Sequence, residues 1–176
     1  MANTPSVRRW AAALRILTIL AMVVLVAALV FGIALAGLPD ELRRAAALAP
    51  DTALAPLHRA AVAASGAIPS LALLYVLSQM ARLFGRYAGG ETLSHHCAGH
   101  IRRIGAGLLV AVALDLVARP LQVLLASLAN PPGERVLSLS LGTADLGQVL
   151  AGGLMVVIGW AMGEAALVAE ENRGFV

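Results

Sequence analysis

Four long apolar runs divide this chain, and its polar residues fall mostly between them. The first run, ILTILAMVVLVAALVFGIALAGL from Ile16 to Leu38, carries no charge after Arg15. Runs of about 20 apolar residues match a hydrocarbon layer of about 30 Å, because a helix rises about 1.5 Å per residue. The apolar residues come as blocks rather than as a stripe on one face, so each block predicts a membrane-crossing helix. The pattern therefore predicts an all-α membrane protein, a four-transmembrane-helix bundle that takes up residues 1–176 as one membrane domain. The expected crossings are residues 10–38, 60–87, 95–128 and 146–169. Between them lie an external loop at 39–59, a cytoplasmic connection at 88–94, an external loop at 129–145 and a cytoplasmic tail at 170–176.

Helix stops and starts sharpen these limits. Pro39 and Asp40 end the first run, and the charged stretch after them predicts one short helix around Glu41–Leu48. Pro69 sits inside the second helix, where it frees the Ser65 carbonyl and predicts a local bend. Gly89-Gly90 stops that helix, and Ser94 is placed to cap the next one. Asn130-Pro131-Pro132-Gly133 is a turn signal. After it, RVLSLSL at 135–141 alternates with period two and predicts a short external β-segment. Thr143 or Asp145 is the expected cap of the last helix.

Composition agrees with a membrane protein. Hydrophobic residues make up 60% and charged residues 13%, against roughly 45–50% and 25% in soluble domains. All the basic residues are arginine, and their positions predict the orientation. Arg8, Arg9, Arg15, Arg82, Arg86, Arg102, Arg103 and Arg173 flank the helices on one side; Arg43, Arg44, Arg59 and Arg135 lie on the other. The richer side is expected to be cytoplasmic, with both termini inside. Such flanking arginines face membrane headgroups, so the net charge of +3 predicts no direct nucleic-acid binding. The run after Arg15 exceeds the 7–15 residues of a secretory h-region, so it reads as a retained signal-anchor. A single cysteine, Cys97, excludes an intrachain disulfide.

Two charges interrupt the third run. Counted from Arg103, Asp115 falls near the bilayer midplane, and Arg119 follows one turn later on the same face. A lone charge at such depth costs about 2.5–3.5 kcal/mol on insertion scales, so the two are expected to pair and to face the bundle interior. The plainest role is a structural lock; ion or proton handling and a switch are the functional alternatives. Depth counting places Pro69 and Ser70, Gly152-Gly153, and Ala27 and Ala28 beside the pair. Gly159 and Gly163 form a GxxxG, expected to pack within the chain in preference to forming a homo-oligomer interface.

The start of the third helix carries His96, Cys97 and His100, whose i, i+3 and i, i+4 spacing could set nitrogen and sulfur ligands on one face. No CxxC accompanies them, so an exposed polar cap is the simpler expectation, with a metal- or haem-binding membrane sensor as an alternative. Arg82, Arg86, Arg102 and Arg103, with Glu170 and Glu171, make a candidate cytoplasmic docking surface. No Gly-rich phosphate loop, HExxH, GxSxG or paired-carboxylate arrangement is present, so neither catalysis nor a resident cofactor is expected.

The stretch LYVLSQMARLFGRYAGGETLS followed by IRRIGAGLL resembles the middle of the DUF2975 family of small bacterial membrane proteins, and GWAMGEAALVAEENRGFV resembles that family's close. SHHCAGH departs from the Thr/Ser-x-Glu-Asn-type helix start more usual there. The resemblance implies a four-helix protein of unassigned function in the bacterial cytoplasmic (inner) membrane. Family members often lie beside genes for helix-turn-helix regulators, which implies a soluble cytoplasmic regulator as partner. A regulatory or interaction role is therefore the leading expectation, with a small transporter or channel subunit using Asp115 and Arg119 as the alternative.

Overall fold

The computed structural model describes residues 5–34, 40–48, 55–91, 94–131 and 133–173. Five helices make up the fold: α1 (Pro5–Ala34), α2 (Asp40–Ala45), α3 (Pro56–Ala88), α4 (His95–Ser127) and α5 (Thr143–Arg173). All but α2 are long and apolar enough to cross a membrane, which is the architecture of a multi-pass membrane protein. Each of the four exceeds 18 residues by a wide margin, so their ends project beyond a hydrocarbon layer of about 30 Å. The end of the first expected crossing (residues 35–38) and parts of the loop that follows lie outside the described residues.

The long helices pack in series, α1 on α3, α3 on α4, and α4 on α5. Among the described residues, α1 makes no close backbone contact with α4 or α5. The arrangement is thus an open row, and α4 is its most buried member: 22% of its most apolar stretch is buried, against 6% for α1. Large apolar side chains such as Ile16, Leu20, Val23, Leu71, Val117, Leu150 and Val157 stand exposed on the helix flanks. Lipid is the medium that would cover such surfaces.

The seam between α4 and α5 is made of glycine. A Cβ built on Gly105 would meet the backbone of Gly152 and Val156, and one on Gly159 would lie 2.7 Å from the Arg102 amide nitrogen. Backbones this close leave no room for a side chain. Gly159 of the GxxxG therefore packs within the chain, with Gly163 opposite Ala98. These contacts also set the register: the sequence runs antiparallel, so that residue 98 is opposite 163, 102 opposite 159 and 105 opposite 156. The start of α1, the α3–α4 turn and the finish of α5 consequently share one end of the row, called here the α3–α4 end.

The opposite end is closed by a small apolar cluster. Ala46, Val62, Val123 and Ala126 are buried there, with Leu42, Leu48 and Val136 packed against them. The short helix α2 ends in a Schellman motif, with Leu48 N–H donating to the Arg43 carbonyl and Ala47 N–H to that of Arg44. Ala47 takes a positive φ of 52° at the position glycine usually fills. Asn130 donates to the carbonyls of Ala46 and Glu134, tying the loop to α2.

Two expectations change. Residues 135–141 form no strand; they run as irregular chain, held by Ser127 Oγ donating to the Val136 carbonyl. Period-two patterning needs a neighbouring strand to become a ladder, and no described segment supplies one. Helix α5 also continues through Glu170 to Arg173, where a tail had been expected.

Gly105→Val should separate α4 from α5. Overpacking of this kind costs about 1–3 kcal/mol, so the thermal midpoint of the detergent-solubilised protein should fall clearly. Ala106→Val, on the exposed side of the same turn, should leave it nearly unchanged.

Candidate functional site

Arg119 is the centre of the polar structure inside the row. Its Nη2 reaches Asp115 on its own helix, one turn back. The same guanidinium makes a two-pronged contact with Asp145 of α5, Nη1 to Oδ2 at 3.1 Å and Nη2 to Oδ1 at 2.9 Å. Paired contacts of this fork-to-fork type are the stronger form of the Arg–carboxylate interaction. Asp145 Oδ2 accepts a third bond, from Gly142 N–H at 2.8 Å. That is the returning half of a capping box: the acidic residue on the third helical position satisfies the amide that precedes the helix. Asp145 thus caps α5 and anchors it to α4.

The register places residue 145 level with residue 116, between Asp115 and Arg119. Since Asp145 opens α5, the charged group sits toward the end of the row opposite the α3–α4 turn rather than halfway along α5. The α3 neighbours expected from depth counting are correct: Pro69 and Ser70 line a cavity of about 250 Å³ together with Asp115, Gln122 and Gln148. Gly152 instead lies opposite Gly105 and Leu109, more than one turn away. No described contact brings Ala27 or Ala28 to the pair.

At the α3–α4 end the arginines converge. Arg15 from α1, Arg82 and Arg86 from α3, and His95, His96, His100, Arg102 and Arg103 from α4 surround an open groove of about 750 Å³. The Arg15 guanidinium lies over Gly85, 3.5 Å from where a Cβ would stand. Arg86 is paired with Glu91 at 2.9 Å. Hydrogen bonding from Ser94, and then from Arg86, holds the Glu91 carboxyl below its usual range. Arg82, Arg86, Arg102 and Arg103 of the expected docking surface therefore do share one face. Glu170 stands near the end of α5, while the Glu171 side chain lies outside the described residues.

The proposed ligand trio does not assemble. Cys97 is fully buried against Val76, Leu83, Ile101 and Ile104, and its thiol donates to the Glu91 carbonyl. His100 is also buried, and its Nδ1–H donates to Gln79 Oε1 at 2.8 Å. His96 stays exposed. Among the described residues no three His, Cys, Asp or Glu side chains group closely enough to hold a metal ion. Ser94 caps α4 as expected, accepting from Cys97 N–H at 3.2 Å.

Two functional partners were missed in the sequence. Gln79 is 3% exposed on the packed face of α3, and a buried amide of that kind signals a polar partner. The local sequence pattern shows Asp145 only as a cap. Its second role depends on the helix register, which no local pattern encodes.

The model of the family described as "Protein of unknown function (DUF2975)" matches residues 42–173, and the chain belongs to that family. No curated protein and no solved structure matches it.

Arg119→Met leaves two carboxylates facing each other and should destabilise the protein by about 1–3 kcal/mol, read as a fall in thermal midpoint in detergent. Arg119 and Asp115 are partly exposed although Asp145 is buried, which places the value below that of a fully buried cluster. The triple variant Arg119→Met, Asp115→Asn, Asp145→Asn removes the repulsion and should be more stable than the single one.

Proposed function

We propose that the protein is a regulatory or interaction protein, its α3–α4 end facing the cytoplasm as a docking face for a soluble partner such as a helix-turn-helix regulator. The supporting observation is the convergence of Arg82, Arg86, Arg102 and Arg103 on one face at that end. Arginine excess marks the cytoplasmic side of helical membrane proteins, and Arg9, Arg15 and the helix ends of α1 and α5 lie on the same side. A cationic face of this kind favours a partner with an acidic surface and raises its association rate. Beside it, His95, Arg102, Trp160, Glu164 and Leu167 line a second hollow between α4 and α5. That hollow offers an aromatic anchor next to charges of both signs.

Co-purification of the full chain from native membranes tests the reading. A soluble partner should be retained at low salt, weakened by added salt, and lost on combining Arg82→Ala with Arg86→Ala. Recovery of no partner, or of one indifferent to these changes, would sink the proposal.

A second reading rests on the cavity beside Asp115. Its lining includes one carboxylate, two glutamines and Ser70 among apolar neighbours such as Leu73 and Val112, and carboxylates placed between spanning helices often lie on ion or proton paths. In this reading the protein is a small transporter or channel subunit. Proteoliposomes holding a pH-sensitive dye should then show a proton- or cation-linked response that Asp115→Asn abolishes. Identical traces for the two proteins would remove this reading.

A further inference from the structure

The groove between α1, α3 and α4 contains more positive charge than its own residues neutralise. Five arginines line it, and each guanidinium stays protonated at any physiological pH. Glu91 compensates Arg86. Among the described residues, Arg15, Arg82, Arg102 and Arg103 have no carboxylate within ion-pair distance. Arginines that merely flank membrane helices can each turn outward to water or headgroups. Here Arg15 crosses from α1 to lie over Gly85 of α3, toward the arginines of α3 and α4. Such a convergence of cations calls for a bound anion.

We propose that this groove binds the phosphoryl headgroup of an acidic phospholipid. Guanidinium forks match phosphate oxygens two at a time, and basic pockets between membrane helices suit anionic headgroups. The groove also has an apolar side: Ile19 and Ala81 line it together with the arginines. From Ile19 the exposed flank of α1 continues through Leu20 and Val23 along the spanning part of the helix. A phosphate held by Arg15, Arg82 and Arg103 thus has a path for its acyl chains down the same helix. A free phosphate would use the arginines but not that path. The site goes beyond the docking face, because a lipid can occupy it with or without a soluble partner.

Gly99 provides a test that leaves every charge in place. It stands where the groove meets the α4–α5 hollow, lining both, and a Cβ built on it meets nothing within 4 Å. Gly99→Phe should therefore narrow the groove without disturbing the helices. The experiment is native mass spectrometry of the delipidated full chain in detergent, titrated separately with phosphatidylglycerol, phosphatidylcholine and inorganic phosphate. Wild type should bind phosphatidylglycerol in clear preference to phosphatidylcholine, and inorganic phosphate only weakly. Arg15→Gln and Arg103→Gln should each reduce phosphatidylglycerol binding by about fivefold, the usual contribution of one basic residue at an anionic surface. Gly99→Phe should reduce it at least as far. Equal binding of the two lipids by wild type would overturn the proposal, as would full binding by Gly99→Phe. Inorganic phosphate bound as tightly as phosphatidylglycerol would overturn the lipid source and assign the groove to a soluble phosphoryl ligand. If the arginine variants fail to fold, the wild-type preference and Gly99→Phe still decide the matter.

Discussion

Hydrocarbon offers no water to a backbone amide or to a charged side chain, and the fold follows from that constraint. The backbone meets it by remaining helical across four long segments. Side chains meet it by finding partners on the neighbouring helix, and α4 carries most of these pairings. At one end His100 donates to Gln79 of α3; at the other Arg119 joins α4 to α5 through Asp145. Between them the α4–α5 contact is made of glycine and backbone. Polar pairs near each end fix the register, and small residues let the middle close.

The two ends of the row use charge differently. Arg119 sits between two carboxylates, so each charge has a partner of opposite sign inside the group, although anions outnumber the cation. Among the described residues around the groove only Arg86 has a carboxylate partner, and the other four arginines share the field of their neighbours. A satisfied charge cluster locks a structure, whereas an unsatisfied one attracts something from outside. This contrast makes the α3–α4 end the place where binding is expected, while Asp115 of the triad also lines a cavity.

Much of this was legible in the sequence because it depends on residues close together. An unbroken apolar run specifies a spanning helix, Ser94 specifies a cap three residues before the amide it accepts from, and Asp115 and Arg119 meet one turn apart. Pro69 and Ser70 were found beside Asp115 because depth counting works across a tight turn such as that between α3 and α4. The same counting failed for Gly152. The loop before α5 hides where that helix begins, and its extension to Thr143 shifts every opposite residue. Asp145 and Gln79 could not be matched to Arg119 and His100 for a related reason: 26 and 21 residues separate the partners. The alternation at 135–141 misled because an extended chain can satisfy it without a partner strand.

The open row adds a consequence for α1. Among the described residues that helix packs on α3 alone, with Ala11 and Thr18 in its buried face and Arg8 bonded to the Ala88 carbonyl. No close backbone contact joins it to α4 among the described residues; α3 and the groove it floors separate the two. Arg15 on one side and Arg102 and Arg103 on the other carry like charge. With nothing between them their repulsion favours a wider groove, and an anion shared by both sides reverses the sign of that force. An anion in the groove, as proposed, would thus couple its occupancy to the position of α1 through the same electrostatic balance. Any partner that docks on the α3–α4 end meets a surface whose shape depends on it.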